Sequence, residues 1–177
     1  MENADKTEAT HTQPEDLIDR LRAEWACEQP AFDTEAMAIV GRLIHLGNVM
    51  KTSASKALKS HGLLYTDFDI LATLRRAGKP YALTPTKLMA SVLLTSGAMT
   101  AALKRLEEKG LIDRPASEGD GRVRMVRLTD SSHKLVEEAA QSRFREADNW
   151  TKNLGISEKN QLETLLRALC AHGNKKT

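Results

Sequence analysis

The stretch TSGAMTAALKRLEEKGLIDRPASEGDGRVRMVRLT, residues 95–129, decides the fold. Thr95 and Ser96 are good N-caps, and Met99, Ala102, Leu103 and Leu106 then recur at helical spacing. Gly110 supplies the left-handed residue that closes such a helix, so the spacing predicts a helix over 97–109. Leu111 to Arg114, a polar turn from Ser117 to Gly121, and an alternating run from Val123 to Leu128 follow. The alternating second run, returning after an Asp-Gly turn, reads together with the first as a β-hairpin. A short helix followed at once by a projecting hairpin is the pattern of a winged helix-turn-helix.

Upstream, Thr84-Pro85 opens a helix with Pro at its first position, with Leu88 and Met89 facing inward. Before that, Thr66 caps a helix carrying Phe68, Leu71 and Leu74, which Gly78-Lys79-Pro80 ends. Asp33 begins a much longer one, whose apolar and small positions from Ala36 to Leu58 alternate in threes and fours until His61-Gly62. At 1.5 Å per residue that helix is roughly 40 Å long. A helix so long outruns a small core and calls for a partner, most simply a second copy of the chain. A further helix runs from Pro14 to Pro30 with Leu17, Leu21 and Trp25 on one stripe; residues 1–13 are polar, without periodicity, and read as a disordered tail. Downstream, Thr129-Asp130 caps a helix striped with Val136, Ala140, Phe144 and Trp150, and Ser157 opens a last one with Leu162, Leu165, Leu166 and Leu169 inside.

The expected architecture is mainly α with a small β-hairpin wing. Helices for dimerisation lie at 14–62 and 129–177, on either side of a winged helix-turn-helix at 63–128. Aromatics make up only 4% of the chain, so the core is aliphatic.

The outward face of the 97–109 helix carries chemistry suited to duplex DNA. Ser96 and Thr100 can bond phosphates or base edges, and Gly97 and Ala101 let the backbone come close. Lys104 and, nearer the edge, Arg105 add positive charge. The helix N-terminus itself favours a phosphate. At the hairpin tip Arg122 can enter a minor groove, Asp120 can hold it or shape the turn, and Arg124 follows on the returning strand. The same features also suit an ordinary amphipathic helix and a solvated hairpin. Net charge over the chain is only +2, but residues 84–128 hold eight Lys and Arg against five acidic residues. The positive surplus sits in the segment that would read DNA.

Other functional classes find little support. Cys27 and Cys170 form no CxxC or metal-spaced set, and the five histidines have no paired spacing with other ligands. No GxSxG, glycine-rich phosphate loop or HExxH is present, so neither an enzyme nor a cofactor is expected. No run of the roughly 20 apolar residues needed to span a membrane occurs, and the first residues lack a signal-peptide core; a cytoplasmic protein without membrane partners is expected. Two alternatives stay open. One is a redox-sensing regulator of the same fold using Cys27, although Glu28 beside it is the wrong sign for a thiolate. The other is a winged helix that mediates only protein contacts.

The run from Leu103 through Leu106-Glu107-Glu108-Lys109-Gly110-Leu111, with Asp120-Gly121-Arg122 and Val126-Arg127-Leu128-Thr129, resembles the multiple-antibiotic-resistance regulator (MarR) family over residues 33–172. The resemblance implies a homodimer with interlocking terminal helices and one reader helix and wing Arg per half of a pseudopalindromic operator. It further implies a repressor released by a small aromatic or anionic effector. Trp25, Asp67-Phe68-Asp69 and Leu93 to Thr100 are similar to the urate-responsive branch, in which Trp, Asp and Arg surround the ligand. The resemblance makes Trp25, Asp67 and Asp69 candidate ligand residues. Trp25 reads equally as a packing anchor and Asp69 as part of the Thr66 cap. Ala102 stands where that branch carries its Arg, so the ligand itself is not carried over.

Overall fold

The computed structural model describes residues 14–92, 95–115 and 125–173. The chain divides into one unit ending at Met50 and another beginning at Lys51.

In the first unit, helix α1 spans Leu17–Glu28. It starts at Leu17 and not at Pro14, because Asp16 and Asp19 cap it reciprocally. Asp16 Oδ1 accepts the Ile18 and Asp19 N–H groups at 2.8 and 3.0 Å, and Asp19 Oδ2 accepts the Asp16 N–H at 3.1 Å. Helix α2, Glu35–Lys59, begins just after Asp33, whose carboxylate accepts the Glu35 N–H at 2.9 Å. Arg42 on α2 binds both capping carboxylates at 2.6–3.1 Å, and this pairing lowers the Asp16 pKa. Inward from these charges, Ile18 and Ala38 are buried, and Gly41 lets Ile18 lie close against α2. The expected stripe of Leu17, Leu21 and Trp25 is instead exposed.

The second unit holds the core. Helix α2 ends as the Leu63 N–H turns back to the Leu58 carbonyl and Gly62 takes φ +67°, a conformation without strain only for glycine. Helix α3, Tyr65–Arg76, starts one residue before Thr66. Its cap corrects the sequence expectation: the carboxylate that accepts the Leu64 N–H is Asp67, at 3.2 Å, not Asp69. A two-residue strand β1, Ala82–Leu83, was not expected; it is too short to show alternation. Helix α4, Pro85–Ser91, is capped by Thr84, and helix α5, Ser96–Glu108, by Thr95. Strands β2, Ile112–Asp113, and β3, Val126–Leu128, pair antiparallel, Ile112 opposite Leu128, and β1 adds on the other side of β3.

Helix α6, Ser132–Thr151, begins later than Thr129 would have started it. Thr129 is occupied in the sheet, its N–H bonding the Leu111 carbonyl and its hydroxyl the Gly110 carbonyl. Helix α7, Ile156–Gly173, is capped by Glu158, which accepts the Gly155 N–H at 2.7 Å.

Helix α3 is the hub of this unit, packing against α4, α5, α6 and β3. Leu58, Ile70, Leu71, Leu74, Leu88 and Leu106 are wholly buried around it, each contributing about 1.5–3 kcal/mol. By contrast α7 buries no residue, and Leu162, Leu165, Leu166 and Leu169 are exposed along it. Among the described residues no single helix is long and apolar enough to cross a membrane.

Candidate nucleic-acid interface

The two helices that precede the wing, α4 and α5, meet at 116°, the crossing of a helix-turn-helix. Helix α5 is sharply two-faced. Met99, Ala102, Leu103 and Leu106 are buried against the core, while Ser96, Gly97, Thr100, Ala101 and Lys104 are exposed. The exposed residues form a continuous face because they recur at three- and four-residue spacing. The Thr100 hydroxyl donates to the Ser96 carbonyl at 3.1 Å, and Lys104 lies 3.9 Å from Glu108 in a solvent-exposed pair. Such a pair holds its lysine only weakly, which leaves the Lys104 ammonium available to an incoming phosphate.

Arg105 is placed differently from its neighbours. Its Nη2 and Nε reach both oxygens of Asp67 at 2.5–3.2 Å, and Asp67 is wholly buried. Donating hydrogen bonds to Asp67 raises the Arg105 pKa, so the guanidinium stays charged. The structure therefore gives Arg105 to the joint between α3 and α5 and not to the outward face. Asp67 also accepts the Leu64 N–H with one oxygen at 3.2 Å, so its carboxylate caps α3 and holds α5. Ala102 is wholly buried, so its side chain faces the core.

Asp120, Arg122 and Arg124 lie outside the described residues. The strands that carry the hairpin are described, and the Met125 N–H bonds the Pro115 carbonyl at 2.9 Å just beyond them. Arg127 pairs with Asp113 across the strands at 2.6 Å, and this bond raises its pKa.

Of the candidate ligand residues, Trp25 belongs to the first unit and Asp67 and Asp69 to the second. Trp25 lines an apolar groove of about 520 Å³ in the first unit, together with Phe32, whose ring centroid lies 5.7 Å away. Asp69 is half-buried on α3. Cys27 and Cys170 are exposed free thiols. Sequence reasoning passed over a different feature, a cavity of about 300 Å³ between α3 and α6 lined by Arg75, Arg76 and Arg143. The adjacent Arg75-Arg76 pair was its one signal, and at a helix C-terminus such a pair reads as ordinary dipole compensation.

Residues 61–123 match the MarR family model. The chain is similar to the HTH-type transcriptional regulator PecS of Dickeya dadantii, with 30% identity over 149 residues that cover 84% of this chain and 90% of that one. The fold is similar to that of a mutant Escherichia coli MarR solved with operator DNA, at 27% identity and TM-score 0.67, covering 78% and 99% of the two chains. It also resembles the organohalide-sensing regulator RdhR solved with 2,4-dichlorophenol, at 19% identity and TM-score 0.70, over 94% and 89%. The helix pair α4 and α5, the three-stranded sheet and this similarity along most of the sequence agree: the chain belongs to the MarR family of winged helix-turn-helix, DNA-binding transcriptional regulators.

Proposed function

We propose that the chain acts as a homodimer on a pseudopalindromic operator, most simply as a repressor, and leaves it when a small aromatic or anionic effector binds. The observation that carries this reading is the division of α5 into a wholly buried face and an exposed one of Ser96, Gly97, Thr100, Ala101 and Lys104. Small residues at the helix N-terminus allow close approach to the major groove, and Lys104 supplies phosphate contact. The sequence offers Asp120, Arg122 and Arg124 as further DNA contacts. The dimer is supported by α7, whose exposed leucines offer a long apolar face of a kind that soluble monomers seldom leave open. The effector is supported by analogy with RdhR, a relative in fold solved with a chlorinated phenol.

The test is a footprint on the promoter DNA flanking the protein's own coding sequence, paired with light scattering. A dimer should protect two half-sites about 10 bp apart, one turn of duplex. The double variant Leu165→Glu and Leu169→Glu should run as a monomer and lose the footprint. A wild-type monomer, or protection of one half-site alone, sinks the dimer reading.

A further inference from the structure

We infer that Thr100 is the residue by which α5 selects its half-site, and that it does so by packing its methyl group on the C5-methyl of a thymine; this rests on α5 being the reader helix. In the major groove each base pair shows its own pattern of donors, acceptors and methyl groups. Guanine is read best by a two-pronged Arg, and adenine by Asn or Gln. Helix α5 is poor in such readers: its sequence, SGAMTAALKRLEE, holds no Asn or Gln and a single Arg. That residue, Arg105, is committed to Asp67 at 2.5–3.2 Å. Glu107 and Glu108 could accept from cytosine, but they sit in the last turn beside Arg114 and Lys104. Lys104 is a flexible point charge, better fitted to a phosphate than to a two-pronged base edge.

Thr100 stands exposed in the middle of the outward face. Its hydroxyl donates to the Ser96 carbonyl at 3.1 Å, one turn back. The proton is thus engaged within the helix, and the groups left for a base are an acceptor oxygen and a methyl. Thr and Ala methyl groups are partners of the thymine methyl in the groove, and Ala101 is exposed beside Thr100. The thymine methyl lies on one edge of its pair, so this contact tells T·A from A·T and both from G·C.

Gly97 gives the duplex room to approach. It lies within the regular helix, one turn before Ala101, and among the described residues a Cβ built there would meet nothing within 4 Å. Glycine weakens a helix relative to alanine, yet no contact among the described residues calls for it. Its missing side chain acts toward a body outside the chain, on the face that carries Thr100.

The test uses the full chain. Selection from a library of randomised duplexes defines the half-site, and each selected half-site should hold a thymine at one fixed position. Deoxyuridine in its place keeps the pairing and removes only the methyl. It should weaken binding about fourfold in one half-site and about tenfold or more in both. A C·G pair there should also bind more weakly, and 5-methylcytosine should recover part of that loss. Thr100→Val keeps methyl groups without the hydroxyl and should retain the deoxyuridine penalty. Thr100→Ser keeps the hydroxyl without the methyl, and should bind the thymine duplex more weakly and cut the penalty to about twofold or less. Circular dichroism confirms that both surface variants are folded. Equal wild-type binding of thymine and deoxyuridine duplexes, a penalty unchanged in Thr100→Ser, or selected half-sites without a fixed thymine overturns the proposal. Should Thr100→Ser and Lys104→Ala still weaken the selected duplex in that event, α5 remains the reader helix. Wild-type affinity in Thr100→Ser, Lys104→Ala and Ser96→Ala together overturns the reader-helix reading as well.

Discussion

Arg105 holds the wholly buried Asp67 through two nitrogens at 2.5–3.2 Å, and so ties the reader helix α5 to the hub helix α3. The pair is asymmetric: the carboxylate has no solvent, whereas the arginine side chain remains 32% exposed. Removing the arginine strands a buried charge; removing the carboxylate lets the arginine turn to water. Arg105→Met should therefore cost about 3 kcal/mol and Asp67→Asn about 1–2 kcal/mol. The double variant should cost less than the sum. Urea unfolding of the three proteins checks this, and singles within about 0.5 kcal/mol of wild type would show that the pair contributes nothing.

The outward face of α5 should respond in the opposite way. Lys104 is 76% exposed on its side chain, and its pair with Glu108 is itself solvent-exposed. Lys104→Ala should leave stability within about 0.5 kcal/mol of wild type while lowering the salt slope of operator binding by about one. Thr100→Ala should weaken the specific operator more than random duplex if its hydroxyl reads a base edge. An unchanged salt slope in Lys104→Ala would remove that residue from the interface.

The same two residues mark how far the sequence could be read. Helix α5 was legible because its buried stripe, its Thr95 cap and its Gly110 exit all signal within a single element. Arg105 sits between the buried and exposed arcs, and periodicity alone cannot assign such a position. Its partner lies 38 residues away, on a helix whose capping carboxylate looked equally good at Asp69. Strand β1 was hidden for a related reason: two residues show no period, and only pairing with β3 makes them a strand. The arginine cavity is assembled by packing α3 on α6, so no local pattern announces it.

Glu146 makes an acid-sensitive contact between α6 and its surroundings. Burial pushes its carboxyl up, but hydrogen bonds from Ser53 and Trp150 and the charge and hydrogen bond of Arg143 outweigh this, and its pKa falls below the ordinary 4.5. A carboxylate depressed in the folded state adds stability above its unfolded pKa and loses it as pH falls through the folded value. Stability should therefore decline on acidification below about pH 4.5. Glu146→Gln should flatten that part of the profile while lowering stability at neutral pH. Equal acid limbs for variant and wild type, measured by thermal unfolding from pH 3 to 7 in roughly half-unit steps, would assign the acid sensitivity to other carboxylates.

Gly41 tests how α1 is held on α2. A Cβ at this position would lie 3.1 Å from the terminal methyl of Ile18 and touch no backbone. That methyl is the free end of a flexible side chain, so Gly41→Ala needs a shift of only a few tenths of an ångström. Against this small strain stands the helix propensity of alanine over glycine, about 1 kcal/mol in favour of the variant. Gly41→Ala should accordingly be neutral or slightly stabilising. Gly41→Leu has no such escape: its branches would fill the space of Ile18 and lever Asp16 and Asp19 away from Arg42. It should destabilise α1 by about 1–3 kcal/mol, seen as faster amide exchange across residues 17–28 with the core of the second unit unchanged. Protection of α1 in the leucine variant equal to wild type would mean that Ile18 does not hold this helix in place.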